Sequence, residues 1–198
     1  MGFGFTKPRN KIPGTELAGE IEAVGEDVKK FKVGDQVFGA SGMRFGTNAE
    51  YICIPEEPGE MEGGVAIKPA NMSYEEAATV PFGGRDSLHF LRLGNIRNDH
   101  KILINGAGGS IGTFAIQLAK YYGAEVTGVC SGANVELVWS LGVDEVIDNT
   151  KQDFTQTGEC FDILVDTVSK RSFAEGRDSR EDGGRYLVTG GGVEPGVE

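Results

Sequence analysis

The sequence predicts an α/β protein in which a small all-β domain precedes a doubly wound parallel sheet. Two observations carry this prediction. Up to Lys68, short segments alternate apolar and polar side chains with a period of two, which is typical of half-buried strands. After residue 100, apolar runs alternate with segments of helical periodicity, which is typical of right-handed βαβ units. We place the domain boundary so that the β domain covers 1–82 and the doubly wound domain covers 83–198.

The first domain contains four predicted strands. Period-two alternation runs over 17–24, and a Val-Gly-Asp turn at 33–35 precedes a strand over 36–39. Two further strands are predicted over 49–55 and 65–68, with an acidic loop containing Gly and Pro between them. Strands this short and closely spaced predict a small antiparallel barrel or sandwich.

Two short helices are predicted at the junction between the domains. Ser73 and Glu76 have the spacing of a capping box, which predicts a helix beginning at the next residue, and we expect Pro81 to end it. A second helix is predicted over 85–93, closed by Gly94.

The second domain is predicted to contain five strands and two main helices. Its first strand is a nearly continuous apolar run, as expected for a strand buried on both faces of a parallel sheet. The predicted strands cover 101–105, 125–130, 143–147, 161–165 and 185–188, and the helices cover 111–122 and 134–141, closed by Gly123 and Gly142.

Composition and charge exclude several classes of function. Thirty Asp and Glu residues against 19 Lys and Arg give a formal charge of −11, which leaves no broad basic surface for nucleic acid or an anionic membrane. No apolar run reaches the roughly 18 residues of a membrane-spanning helix, and 1–14 lack the apolar segment of a secretory signal. Two His and three scattered Cys cannot form a zinc ribbon or a disulfide framework. We therefore expect a cytoplasmic protein with reduced thiols.

The segment 105–112 carries the main functional signal, because it lies between the first strand and the first long helix of the second domain. A glycine-rich turn in this context is the fingerprint of dinucleotide binding. Ala107 stands where the pattern has its first glycine, Gly109 lets the backbone approach a pyrophosphate, and Gly112 lets the helix pack closely on the sheet. Free amides at the helix start attract phosphate. The alternative is a glycine-rich turn without a ligand.

The end of the second strand bears on which dinucleotide binds. An acid about twenty residues after the turn would bond the ribose of NAD and repel the 2′-phosphate of NADP. Residues 129–134 contain no carboxylate, and Ser131 and Asn134 are neutral donors suited to a phosphate, which favours NADP. No Arg or Lys lies in this turn to give the stronger charge-assisted contacts. The nearest later basic residue is Lys151, which we expect to be a solvated loop lysine.

Seven ordered motifs resemble the signature of the medium-chain dehydrogenase/reductase superfamily, in particular its zinc-free quinone oxidoreductase-like subgroup. They are 13–19 (PGTELAG), 24–25 (VG), 31–39 (FKVGDQVFG), 107–112 (AGGSIG), 117–120 (QLAK), 140–142 (SLG) and 146–148 (VID). The resemblance implies a GroES-like β domain followed by a Rossmann domain, with NADPH bound between them. It also implies hydride transfer from NADPH to a quinone or to the β-carbon of an α,β-unsaturated carbonyl.

The resemblance assigns cofactor-binding positions in this chain. The phosphate turn corresponds to Ala107, Gly108, Gly109, Ser110, Ile111 and Gly112, and the adenosine-phosphate edge corresponds to Ser131 and Asn134. A segment whose backbone lines the cofactor groove corresponds to Asp166, Thr167 and Val168, and the turn near the nicotinamide ribose corresponds to Thr189 and Gly190.

The residues present indicate a reaction without metal. Zinc-dependent members of the superfamily carry His in the first motif, where this chain has Thr15, and no four-cysteine cluster is present for a structural zinc. A zinc-type alcohol dehydrogenase is one alternative function, but it needs metal ligands that the sequence does not show. No residue stands out as a proton donor: we expect Tyr51 in the core, Asp35 in a turn, His89 packed in its helix and His100 in the turn before the first strand of the sheet.

Compared with the family pattern, the chain looks shortened at both ends. The Gly-Thr-Glu motif begins at residue 14, and five of the usual six strands of the sheet can be counted. Because family members often pair through the last strand, we expect a homodimer for the full-length protein. In the family, strands before the Gly-Thr-Glu motif form part of the substrate pocket, and a Leu-Thr-Ala type sequence is common where this chain has Arg85 and Asp86. These departures motivate a second alternative, a nucleotide-binding module or fragment without turnover. We expect the chain alone to be inactive.

Overall fold

The computed structural model of the protein describes residues 11–59, 62–168 and 180–189. The chain divides into two compact units, Met1–Phe82 and Gly83–Glu198. Antiparallel pairing is found in the first unit and parallel pairing in the second. This is the combination that the change of periodicity along the sequence predicts.

The first unit contains an antiparallel sheet of three strands in the order β1-β2-β3. These strands are β1 (Glu16–Glu20), β2 (Gln36–Ala40) and β3 (Val65–Ile67). The first strand ends four residues before the predicted limit, because the backbone of Ile21 bonds instead to the turn at 34–35. Asp35 lies in that turn, where its carboxylate accepts from the amide of Lys32 at 2.9 Å, as expected.

The strand predicted over 49–55 is wrong. This segment has no regular secondary structure, and it pairs with no strand among the described residues of the first unit. Tyr51, expected in the core, is 73% exposed. Alternation of side chains is only half of what makes a strand, since the backbone also needs a neighbouring strand to bond, and the sequence pattern does not show one.

A short helix, α1 (Tyr74–Ala78), begins at the predicted capping box. The Ser73 hydroxyl accepts from the amide of Glu76 at 3.1 Å, and the Glu76 carboxylate accepts from the amide of Ser73 at 2.8 Å. Two amides that the first turn leaves without helical partners are thereby satisfied.

Replacing Ser73 with alanine should lower the stability of the protein by about 1 kcal/mol, because one of these amides loses its acceptor. Urea denaturation followed by circular dichroism measures the change. Ser140→Ala is the control, since that exposed hydroxyl only donates to a carbonyl of its own helix, and it should change stability by less than about 0.5 kcal/mol. Equal effects of the two substitutions would contradict the role of the capping box.

The second helix starts earlier than predicted. It is α2 (Val80–Leu93), and Pro81 stands in its first turn instead of ending α1. Proline is well tolerated there, because the first-turn amides have no helical acceptor in any case. At the other end, Asn95 rather than Gly94 takes the left-handed conformation, with φ 52°. His89, expected to pack within the helix, is exposed and contacts the ring of Phe90 edge-on.

The second unit contains a parallel sheet of five strands, and two helices cross between its strands within the described residues. The strands are β4 (Lys101–Asn105), β5 (Glu125–Cys130), β6 (Glu145–Asp148), β7 (Phe161–Asp166) and β8 (Arg180–Val188), and the helices are α3 (Ser110–Tyr121) and α4 (Val135–Ser140). The strand order β6-β5-β4-β7-β8 confirms the doubly wound prediction. No helix in the described part of the chain is long and apolar enough to span a membrane.

The central strand β4 is buried on both faces, as its continuous apolar run predicts. Ile102 and Ile104 belong to one apolar cluster, and Leu103 belongs to the cluster on the opposite face. The helix predicted over 134–141 is the slightly shorter α4, and a 3₁₀ turn at Gly132–Asn134 precedes it. The two clusters fix the sheet, so the loops at its carboxyl edge are held on a rigid base.

Candidate cofactor site

The predicted site residues lie in the turns that leave the carboxyl ends of the parallel strands. These turns follow β4, β5 and β7, and Thr189 follows β8 directly. Because β4 is paired with both β5 and β7, the three turns lie next to one another although up to about 60 residues separate them in sequence. Gly190 lies outside the described residues.

The tight turn after β4 is made by Gly106, not by Ala107 as the sequence pattern suggested. Gly106 has φ +87°, a conformation that disfavours other residues. A side chain at Gly106 would also overlap the Thr167 hydroxyl and lie 2.8 Å from a methyl group of Val168. Ala107 itself is completely buried, and its amide donates to the carbonyl of Val129 at 2.9 Å. Ala107 therefore supports the turn from beneath and exposes no atom to a ligand.

Several backbone amides at the start of α3 have no hydrogen-bond acceptor among the described residues. In the part of the chain that the structure describes, the backbone N–H groups of Gly108, Ser110, Ile111 and Gly112 donate to no protein atom. The N-cap residue Gly109 supplies no side-chain acceptor for them. A twelve-residue helix adds its dipole at the same end. The arrangement can hold a diphosphate through backbone donors.

Two glycines of this turn meet different surroundings. A Cβ at Gly112 would overlap the carbonyl oxygen of Gly106 and lie 2.8 Å from the α-carbon of Ala107, so the helix packs against the turn with no room for a side chain. A Cβ at Gly109 would meet only that same oxygen, at 3.3 Å, and would otherwise stand in open space. Gly112 is needed for packing, whereas the outer face of Gly109 is available to a ligand.

The turn after β5 touches the glycine-rich turn through Asn134. A Cβ at Gly108 would lie 2.9 Å from the side chain of Asn134, and the Asn134 amide lies 3.4 Å from the hydroxyl of Ser131. The two residues predicted to meet the adenosine phosphate thus lie next to each other and beside the diphosphate turn.

The side chain of Asp166 is buried beneath the segment whose backbone is expected to line the cofactor groove. Its carboxylate is 1% exposed and accepts from the Asn105 amide at 2.9 Å, the Tyr186 hydroxyl at 2.8 Å and the amide of Val168 at 2.9 Å. Thr167 donates to the carbonyl of Asn105 from both its amide, at 3.0 Å, and its hydroxyl, at 2.9 Å. Asp166 therefore ties the ends of β4, β7 and β8 together below the site.

Thr189 presents a buried hydroxyl without a partner. The residue is 4% exposed, and its Oγ1 bonds to no atom in the described part of the protein. Its amide is held by the carbonyl of Asp166 at 2.8 Å. A buried hydroxyl without a hydrogen bond is costly, so an unsatisfied one at this edge of the sheet is consistent with a polar ligand nearby.

Asp148, at the end of β6, lies beside the predicted site and was not among the residues predicted from the sequence. Its Oδ1 accepts from the amide and the hydroxyl of Thr150, at 3.0 and 2.6 Å, and its Oδ2 pairs with Lys151 at 3.0 Å. These bonds lower the pKa of Asp148 to about 2, chiefly through the Thr150 hydroxyl. Burial, with a contribution from this carboxylate, raises the pKa of the neighbouring Cys130 thiol. A search for an acid at the end of β5 overlooks one that the adjacent strand supplies.

Comparison with known proteins identifies the family of both units. Residues 2–80 match the family described as alcohol dehydrogenase GroES-like domain, and residues 110–197 match the family described as zinc-binding dehydrogenase. The chain belongs to the medium-chain dehydrogenase/reductase superfamily. The small β unit is accordingly its GroES-like domain, and the doubly wound unit is its Rossmann domain.

Several proteins that the chain resembles are named as reductases or oxidoreductases. A 2-methylene-furan-3-one reductase of Solanum lycopersicum is 34% identical, with 96% of this chain and 49% of the relative covered. A chloroplastic NADPH-dependent alkenal/one oxidoreductase of Arabidopsis thaliana is 31% identical, with 95% and 49% covered. The crystal structure of a Pseudomonas syringae quinone oxidoreductase has a TM-score of 0.77 and 27% identity, covering 91% of this chain and 58% of that one. The chain spans about half the length of these curated relatives.

The name of the second matching family refers to zinc, but the described residues offer no set of metal ligands. They contain no group of three or more His, Cys, Asp or Glu side chains placed to hold a metal ion. At the position of the first motif, the carbonyl of Thr15 accepts from the amide of Ser41 at 2.8 Å, which is a structural bond within the GroES-like domain. The cofactor that fits the residues present is a dinucleotide, because free amides and a buried hydroxyl are donors for phosphate and ribose oxygens.

Proposed function

We propose that the protein is an NADPH-dependent reductase that transfers hydride, without zinc, to a quinone or an α,β-unsaturated carbonyl. The observation that carries this proposal is the cluster of unbonded amides at Gly108, Ser110, Ile111 and Gly112. The names of the relatives support it, since they include reductases of quinones and of unsaturated carbonyls.

In this proposal the protein binds and orients, while the nicotinamide, when bound, supplies the hydride. The amides at the start of α3 hold the diphosphate. Ser131 and Asn134 meet the adenosine end, and the Thr189 hydroxyl meets the other half of the cofactor. The backbone of Thr167 and Val168 covers the groove between these two ends.

An electron-poor acceptor suits a site without a Lewis acid. Hydride added to the β-carbon of an enone leaves the negative charge delocalised onto the carbonyl oxygen as an enolate, which then takes a proton from water. A saturated aldehyde would place the full charge on one oxygen, so it needs polarisation by a metal or a strong donor. Thr15 stands where zinc-dependent members have histidine, and this favours an enone over a saturated aldehyde as the acceptor.

Turnover by the full-length protein with a panel of acceptors tests the proposal. NADPH should be consumed with quinones and enones and not with saturated aldehydes, as followed by the loss of its absorbance. Reduction of aldehydes together with one tightly bound zinc per chain would instead establish a zinc alcohol dehydrogenase. Tight binding of NADPH with no acceptor reduced would establish a nucleotide-binding module without turnover.

A further inference from the structure

We infer that the ion pair between Asp148 and Lys151 determines the preference between NADPH and NADH, an inference that rests on the proposed function. Lys151 would leave Asp148 to pair with the 2′-phosphate of NADPH, and Asp148 would accept a hydrogen bond from the 2′-hydroxyl of NADH. The pair would thus be a specificity-determining element at the end of β6. In the usual dinucleotide-binding pattern the acid that contacts the ribose lies at the end of the strand next to β4, which is β5 in this chain.

The position of Asp148 is the first argument. β5 and β6 are parallel neighbours with Cys130 opposite Asp148, and the amide of Asn149 donates to the carbonyl of Cys130 at 2.9 Å. A Cβ at Gly132 would lie 3.1 Å from Asp148 Oδ2. The carboxylate therefore lies against the same turn, Ser131 to Asn134, that is predicted to receive the adenosine ribose and its phosphate.

The second argument is that Asp148 is held in place, whereas the side chain of Lys151 is largely exposed and can move. Asp148 is partly buried and held by two bonds from Thr150, so its position is fixed. Lys151 has a side chain that is 80% exposed, and its ammonium has one ion-pair partner among the described residues, at 3.0 Å. Exposed ion pairs add little to stability. The lysine can therefore exchange its carboxylate partner for an incoming phosphate without disturbing the loop.

The charges of Lys151 and Asp148 have opposite effects on the binding of the two nucleotides. The 2′-phosphate brings about two negative charges, which Lys151 attracts and Asp148 repels. The 2′-hydroxyl of NADH is a neutral donor, for which a carboxylate is a good acceptor and an ammonium is not. Removing each charge separately should consequently shift the ratio of the two affinities in opposite directions, which a purely structural role of the pair would not do.

Dissociation constants for NADPH and NADH, measured by fluorescence titration, test the inference. Lys151→Met should weaken NADPH binding about tenfold, the effect of one lost charge-assisted bond, and change NADH binding less than about twofold. Asp148→Asn, which retains an oxygen for the Thr150 bonds, should weaken NADH binding and leave NADPH binding as tight or tighter. Circular dichroism confirms folding, and the exposed Lys151 variant suffices should the Asp148 variant fail to fold.

Lys120→Met is the matched control. Lys120 also pairs with an aspartate, Asp144, at 2.7 Å, but that pair lies at the amino end of β6, on the opposite edge of the sheet. The substitution removes the same charge, so it should leave the ratio of affinities unchanged. Equal changes for both nucleotides in Lys151→Met, no change at all, or the same change in Lys120→Met would overturn the inference. Binding of neither nucleotide by the unsubstituted protein would instead overturn the proposed function itself, and this inference with it.

Discussion

Replacing Gly109 with valine is expected to weaken NADPH binding by about a hundredfold or more and to leave the fold intact. The backbone of Gly109 has φ −85° and ψ 172°, which valine adopts readily. A Cβ there would approach one atom, the Gly106 oxygen at 3.3 Å, and the rest of the side chain would occupy the space in front of the free amides. Loss of two charge-assisted bonds to the diphosphate accounts for the magnitude.

Two further substitutions make this prediction specific. Gly109→Ala adds a single methyl group and should give an intermediate loss of affinity. Gly112→Val should instead destabilise the protein, because its Cβ overlaps backbone atoms of the turn that cannot move aside. Titration with NADPH and thermal unfolding separate the two kinds of effect. Unchanged NADPH binding by Gly109→Val would show that the diphosphate is not held at this turn.

The sequence was sufficient to predict an element where the local residue pattern agrees with the place of that element in the fold. The apolar run of β4 is recognisable because a strand buried on both faces has no polar side, and the capping box of α1 depends only on residues three positions apart. The prediction of an element failed where that element depends on contacts with another part of the chain. Segment 49–55 alternates like a strand but has no neighbour to pair with in the described residues. Pro81 was assigned to a helix end although the first turn of a helix accepts it equally well.

The candidate site shows the same division. The glycine-rich turn was located correctly, but a pattern cannot tell which glycine adopts a positive φ, and Gly106 rather than the position of Ala107 does so. The position of Asp148 beside the site could not be predicted because the rule for the ribose acid counts along the chain, whereas strand order places the end of β6 beside the end of β5. Asp166 could be named from the sequence, but its burial could not, since its partners lie 20 and 61 residues away.

Asp166→Ala is expected to cost about 3 kcal/mol or more of folding stability. The substitution removes the acceptor of the Asn105 amide, the Tyr186 hydroxyl and the Val168 amide together, and the first two belong to buried residues. Each buried donor left unpaired costs about 1–3 kcal/mol. Denaturant unfolding measures the loss, and a stability within about 1 kcal/mol of the unsubstituted protein would show that these bonds contribute little.

Asp166→Asn is the conservative comparison, and it also tests whether the network positions the cofactor turn. The asparagine oxygen can still accept from Asn105 and Val168, and its amide can donate to the Tyr186 oxygen, so most of the stability should be retained. Asn105 directly precedes Gly106, and its carbonyl is bonded twice by Thr167. The alanine variant should therefore also bind NADPH more weakly at temperatures where it is folded, with affinity recovered in the asparagine variant. Loss of stability without loss of affinity would restrict Asp166 to a role in folding, because the free amides of the turn would then keep their arrangement without it.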